Sequence, residues 1–239
     1  KEYYFANPLP KPENFVLDGE LTEWSGIPVL SDPRFYFPEP TGRDGELILH
    51  EEWQGGTWTG PNDQTSAVQI AYDENNLYFG FTVTDDYHEN AANSAWNGDS
   101  VQLMIANNNQ DTQIALYNYA LGGIETELGD IIVNHEAGPA AGADPVAVTD
   151  AVVKRNTETK QTTYEIVLPK ETLGFDILEL GTQFGLGMSI NDGDEDTPGQ
   201  RGFSGLGVQS VVHGKDPEQT ALVTLGIGGG STFFYSAIN

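Results

Sequence analysis

Cysteine is absent from this 239-residue chain. That excludes disulfides, thiolate zinc sites and cysteine nucleophiles, and is neutral between cytoplasm and exterior. Basic residues are scarce: ten Lys and Arg stand against 36 Asp and Glu, for a formal net charge of −26. Such a surface repels phosphate backbones and anionic membrane surfaces, so neither nucleic acid nor a membrane is expected as a partner. It suits a halophile-like or marine setting, or a demand for bound cations. No apolar run approaches the ~20 residues of a membrane span. Lys1-Glu2-Tyr3-Tyr4 does not read as a signal peptide, so an export signal would have been removed or would lie outside this sequence. Helix signals are few while Gly, Asn, Asp and Thr abound, which leans toward an extracellular β-rich module.

Catalytic patterns are also missing. His50, His88, His135 and His213 are scattered without metal-ligand spacing. Ser94, Ser100 and Ser204 lack a nucleophile-elbow context. Gly205-Leu206-Gly207 and Gly226-Ile227-Gly228 are not followed by a helix that could cradle phosphate. With 36 acids, no carboxylate pair is favoured over another for glycosidase or lyase chemistry. A non-enzyme is expected.

What is present is alternation. Val68, Ile70 and Tyr72 alternate, Asp73-Glu74-Asn75-Asn76 turns the chain, and Leu77, Phe79, Phe81 and Val83 alternate again. Asp99 to Ala106, Thr112 to Leu121, Thr162 to Pro169, Phe184 to Ile190 and Ala221 to Leu225 read as further strands. Phe15-Val16-Leu17 reads as a short strand before the Asp18-Gly19 turn, and Pro169 to Leu173 as a lone helical turn. Short strands without a βαβ rhythm predict an all-β, antiparallel β-sandwich of jelly-roll or immunoglobulin-like type, with minimal helix. The expected organisation is an extended lead-in over 1–14, one sandwich over 15–227 with an insertion at 38–66, and a tail over 228–239.

The stretch Ser94-Ala95-Trp96-Asn97-Gly98-Asp99 leads from a loop into a strand whose second face carries Ser100, Gln102 and Met104. An indole on a loop beside amides suits stacking on a pyranose with hydroxyls taken by polar neighbours. A Trp folded over the sandwich end into the core is the other reading. Trp53 and Trp58 lie on a glycine-flanked loop and are candidates for a contact surface or for burial against the sheet.

Asn191-Asp192-Gly193-Asp194-Glu195-Asp196 places oxygen ligands at alternate positions, as Ca²⁺ requires, so Asp192, Asp194 and Asp196 are candidate ligands. Phe203 occupies the place of the bidentate Glu, so the loop is not an EF-hand. Asp18, Glu20, Asp85 and Asp99 are further candidates if the sandwich brings them together; a solvated acidic loop is the alternative.

The order of several motifs resembles the family 9 carbohydrate-binding modules, β-sandwiches related to DOMON-type folds. The signposts are Leu17-Asp18-Gly19 with Glu23-Trp24, Tyr72-Asp73-Glu74-Asn75-Asn76-Leu77-Tyr78, Val83-Thr84-Asp85 and Trp96-Asn97-Gly98-Asp99-Ser100-Val101. Tyr164-Glu165-Ile166-Val167-Leu168-Pro169, Ile190-Asn191-Asp192 and Gly199-Gln200-Arg201 complete them. The resemblance implies a calcium-bound, non-catalytic, extracellular module that holds poly- or oligosaccharide between two aromatic rings. It would act as a monomer or as part of a multidomain secreted enzyme or surface protein. Trp96 falls on one ring position of that clamp, and Gln102 stands where the family often has a Glu. Gln113 and Arg201 are further binding-face candidates. Val212-His213-Gly214-Lys215-Asp216-Pro217 carries no tryptophan where the second ring is expected, which leaves His213, Trp53 or Trp58 to supply it. Relatives of this sandwich that bind b-type haem keep Met104 and Met188 in view as ligands, and a protein–protein adhesion module remains open.

Overall fold

The computed structural model describes residues 2–10, 12–30, 48–142, 150–195, 197–227 and 234–235. The strongest alternation becomes an antiparallel hairpin, β3 (Gln64–Tyr72) on β4 (Asn76–Asp85), in unbroken register from Gln64↔Asp85 to Tyr72↔Leu77. Asp73 sets its turn: Oδ1 accepts the backbone N–H groups of Asn75 (2.7 Å) and Asn76 (2.8 Å). β10 (Gln161–Pro169) pairs with β4 and β9 (Ala151–Asn156) with β10, completing one sheet.

The other sheet runs through β8 (Glu127–Ala137), β7 (Gln113–Ile124), β6 (Ser100–Ala106), β11 (Gln183–Asp194) and β13 (Ala221–Leu225). β5 (Glu89–Asn90) also pairs with β7, β12 (Thr197–Gly205) also pairs with β11, and β2 (Ile48–Glu52) edges β12. Val68, Ile70, Phe79 and Phe81 from the first sheet share one buried cluster with Val101, Leu103, Phe184 and Met188 from the second. Two sheets closed over one apolar layer make an all-β sandwich. Among the described residues the only helical pieces are 3₁₀ turns, including Lys170–Leu173 after Pro169.

Within the extended lead-in, Glu2–Pro8 form a strand of the sandwich. β1 (Glu2–Pro8) runs parallel to β13 from Tyr3↔Leu222 to Ala6↔Leu225, then parallel to β3 at Asn7 and Pro8. One strand therefore belongs to both sheets, and the sandwich is not wholly antiparallel. Its alternation sets which side chains turn inward, so Tyr4 and Ala6 are buried in the core. β14 (Phe234–Tyr235), within the segment read as a tail, pairs with β1. Of the insertion at 38–66, residues 38–47 lie outside the described ones, and the rest supplies β2 and the start of β3.

Phe15, Val16 and Leu17 form no strand. Their segment instead crosses the outer face of the first sheet, where Trp24 packs with Leu9, Ile27, Ala71 and Tyr78. Gly80 leaves room for it: an added Cβ would meet the indole at 3.3 Å.

Candidate functional site

The loop before β6 holds Trp96 outward. Asn90 brackets it, accepting from Ser94 N–H (2.8 Å) and donating to Ser94 O (2.8 Å). Asn191 Nδ2 donates to Trp96 O at 3.1 Å, and Asn97 Oδ1 accepts Gln200 N–H at 3.0 Å. Gly98 (φ 136°) is required here, because a Cβ would strike the Glu89 carbonyl. The Trp96 side chain stays 49% exposed, so the core reading fails for it; Trp24, at 1%, is the core tryptophan.

Trp53 reaches the same place from the end of β2. Its N–H donates to Arg201 O at 2.6 Å, and Gly56 N–H returns to Trp53 O at 3.0 Å. The half-buried ring rests on Phe203 (6.2 Å between centroids) and edge-on to His213 (5.7 Å). Trp53 and Trp96 line one cavity of about 520 Å³ on the outer face of the second sheet. Gln54, Gln102, Asn134, Glu136, Gln200 and Lys215 supply its polar lining, and Val211 and Val212 add apolar surface. Gln102 is only 7% exposed, and on the same face Val211 packs with Met104 and Leu116. Its Nε2 donates to Asn118 Oδ1 (3.1 Å), Asn118 Nδ2 donates to Glu136 Oε2 (3.3 Å), and Lys215 pairs with Glu136. The arrangement offers aromatic faces above a lattice of amides and one carboxylate, which is chemistry for hydroxyl-bearing rings.

The other ring and amide candidates are placed elsewhere. Trp58 stacks on His50 (5.8 Å, 26°) and donates from Nε1 to Gln64 O at 2.9 Å. His213 stands behind Trp53 and contacts Glu51 (3.2 Å). Arg201 clamps the Trp53 loop, with Nη1 donating to Gln54 O at 3.4 Å, and borders a second cavity of about 610 Å³. Gln113 pairs with Ala106, at the other end of β6 from Gln102. Both methionines are enclosed by apolar side chains, Met188 in the sandwich interior and Met104 beneath Val211.

A carboxylate centre lies at the end of the Trp96 loop, which Asn191 and Gly193 of β11 hold by hydrogen bonds to Trp96 O and Asp99 Oδ1. Asp85 at the end of β4, Asp99 before β6 and Asp192 on β11 offer oxygens within 4.8 Å of one another, and all three are buried. Asp99 Oδ1 accepts Gly193 N–H (2.7 Å) and Oδ2 accepts Glu89 N–H (2.7 Å). Asp85 Oδ1 accepts Tyr87 N–H (2.8 Å). Burial pushes Asp99 up to about 7. Burial and the charge of Asp99 push Asp85 well above the usual carboxylate range, and burial with the charges of Asp85 and Asp99 does the same for Asp192. A group of buried, mutually repelling oxygens fits a hard divalent cation.

Two imidazoles flank this centre, and neither was singled out by the sequence. His88 Nε2 lies 3.0 Å from Leu121 O, to which it can only donate, so Nδ1 faces Asp99 Oδ2 at 3.2 Å without a hydrogen bond. Burial lowers His88 and brings His50 down to about 4, so both rings are neutral at pH 7. His50 Nε2 lies 3.2 Å from Asp192 Oδ2. Asp63, also missed, joins Asp192 and Asp194 in a second group of carboxylates. Its only signal is position, immediately before Gln64, whose cross-strand partner is Asp85.

Asp18 and Glu20 do not join the centre. Asp18 caps Glu20 N–H (2.9 Å), and Glu20 pairs with Lys154 (2.6 Å) beside the outer face of the first sheet. Asp196 lies outside the described residues.

Fold and cavity together define a β-sandwich binding domain. A family model described as carbohydrate family 9 binding domain-like matches residues 44–212, and the chain belongs to that family, as its motif order implied. It is similar to a family 9 carbohydrate-binding module from Caldicellulosiruptor kristjanssonii in complex with cellotriose: TM-score 0.63, 13% identity, 95% of each chain covered. A module of the same family and organism in complex with glucose gives TM-score 0.62 and 16% identity, with 95% of this chain and 97% of that chain covered. At these identities the likeness is one of fold. A search of curated proteins finds no match.

Proposed function

We propose that this chain is a non-catalytic carbohydrate-binding module that stacks a pyranose on Trp96, with Trp53 as the second aromatic wall. The observation that carries the reading is the shared cavity: a half-exposed indole and a half-buried one line the same 520 Å³ space with Gln102, Asn134 and Gln200. Trp53 supplies the ring that the Val212–Pro217 segment lacks, and His213 supports it from behind. Asp85, Asp99 and Asp192 would hold Ca²⁺, which would neutralise their buried charge and tie three strand ends together. The acidic surface and the family support an extracellular module, carried as a monomer or within a longer secreted enzyme or surface protein, that brings its parent to polysaccharide. A glycan array read with and without chelator tests this, followed by calorimetry with cellotriose and glucose. Absence of binding to any glycan in calcium, by a folded protein, would refute it.

A further inference from the structure

Each cavity tryptophan stands three residues from a group that belongs to the carboxylate centre or touches it. On one side the group is Asp99, for Trp96. On the other it is His50, for Trp53. β11, β12 and β2 lie side by side, with Asp192 opposite Gly202 and Gly202 opposite Glu52. His50 projects from β2 across Gly202, where any Cβ would collide with its ring, and brings Nε2 to within 3.2 Å of Asp192 Oδ2. The ring is 1% exposed and is covered by Trp58. Among the described residues β2 has a single strand neighbour, β12, so this reach to β11 is its tie to the next strand. From β2 the chain passes directly into Trp53.

The Trp96 side is joined as closely. Asn191, next to Asp192, donates from Nδ2 to Trp96 O (3.1 Å) and to Ser100 Oγ (2.9 Å). Gly193, on its other side, donates to Asp99 Oδ1 (2.7 Å). His88 adds a second pointer to a ligand, since its buried Nδ1 is aimed at Asp99 without a hydrogen bond.

We infer that the carboxylate centre, when it holds a divalent cation, positions both walls of the cavity, and that His50 is the positioning residue that transmits this to Trp53. The inference rests on the sugar-binding reading for its consequence, not for its geometry. Drawing Asp85, Asp99 and Asp192 together fixes the β11 segment from which Asn191 holds Trp96 and onto which His50 docks β2. Cation and sugar then favour the same arrangement. By linkage each raises the affinity for the other, by roughly fivefold or more.

Fluorine NMR of the whole chain labelled with 5-fluorotryptophan tests this, with each resonance assigned by a Trp→Phe variant. Titration with Ca²⁺ is expected to shift Trp53 and Trp96 and to leave Trp24, on the opposite sheet, in place. In His50→Ala the Trp53 response is lost while Trp96 still responds, and His50→Gln, whose amide can still donate toward Asp192, restores part of it. The Trp24 resonance reports that each variant is folded. Calcium binding that leaves Trp53 and Trp96 unmoved, a His50→Ala protein that responds like wild type, or no calcium binding at all would overturn the inference. Cellotriose affinity, measured in Ca²⁺ and in EDTA, is expected to differ by about fivefold or more; equal affinities would overturn the coupling. A protein that binds cellotriose in neither buffer would refute the sugar reading, while the fluorine spectra decide the positioning role on their own.

Discussion

Glu165 grips Trp24: its Oε1 accepts the indole N–H at 2.9 Å, while Oε2 accepts the backbone N–H groups of Asp18 (2.9 Å) and Gly19 (2.7 Å). This carboxylate is fully buried, so the Leu17-Asp18-Gly19 and Glu23-Trp24 motifs serve to pin the segment from Asp18 to Trp24 to the sheet. Hydrogen bonds to a charged group contribute roughly 1.5–3 kcal/mol each, and stranded donors add a desolvation cost. Glu165→Ala is expected to lose about 3 kcal/mol or more in urea unfolding, and Glu165→Gln less. Asp18→Ala is expected to leave calcium affinity by calorimetry unchanged, because Asp18 lies away from the carboxylate centre.

Trp96→Ala is expected to keep the fold and lose sugar affinity. Aromatic anchors of this kind carry about 2 kcal/mol or more, or roughly a thirtyfold rise in Kd. Circular dichroism and calorimetry on the same sample check it. An unfolded variant would make Trp96 a structural residue, and unchanged affinity would move the site elsewhere.

Gly56→Ala probes the second wall without touching either ring. A Cβ there would overlap the Arg201 carbonyl oxygen that holds Trp53 N–H. The Trp53 loop must shift, so sugar affinity should fall while the melting temperature changes little. Unaltered binding would show that Trp53 contributes no contact.

Calcium is expected to stabilise the chain. An ion at 100-fold over its dissociation constant contributes about 2.7 kcal/mol per site. Thermal melts in excess Ca²⁺ and in EDTA measure it, and superimposable curves would show that the carboxylates hold no ion.

The pH response in EDTA should run opposite to that of an ordinary salt-bridged carboxylate. Asp99 titrates at about 7 in the folded state, against about 3.9 in the unfolded chain. Between those values the folded state binds more protons, so stability rises as pH falls from about 7 toward about 4. Asp85 and Asp192 are raised as well and act with the same sign. Relief of the overall negative charge gives the same trend, so the measurement is the difference between wild type and Asp99→Asn. The variant's melting temperature should vary less between pH 7.5 and 5; equal slopes would remove Asp99 as a source.

Period-two alternation and Asn/Asp/Gly turns are local properties, and they determined by themselves the hairpin at Asp73–Asn76, the inward set on β6 and the all-β class. They also marked Trp96 as a loop indole and Asp192 as a cation candidate. Which groups meet depended on pairings between distant segments. Asp85, Asp99 and Asp192 converge because the end of β4, in one sheet, meets the place in the other where β11 aligns with the start of β6 at Asn191↔Ser100, and no spacing along the chain encodes that. The same holds for His50, which reaches Asp192 through the β2–β12–β11 register. Trp58 and Trp53, five residues apart on one loop, were equivalent in sequence; the tertiary structure separated them, because one indole N–H found Gln64 O while the other ring found Phe203. The parallel course of β1 between the two sheets was likewise set by the partners waiting at β13 and β3, since a strand's alternation specifies its faces but not its neighbours.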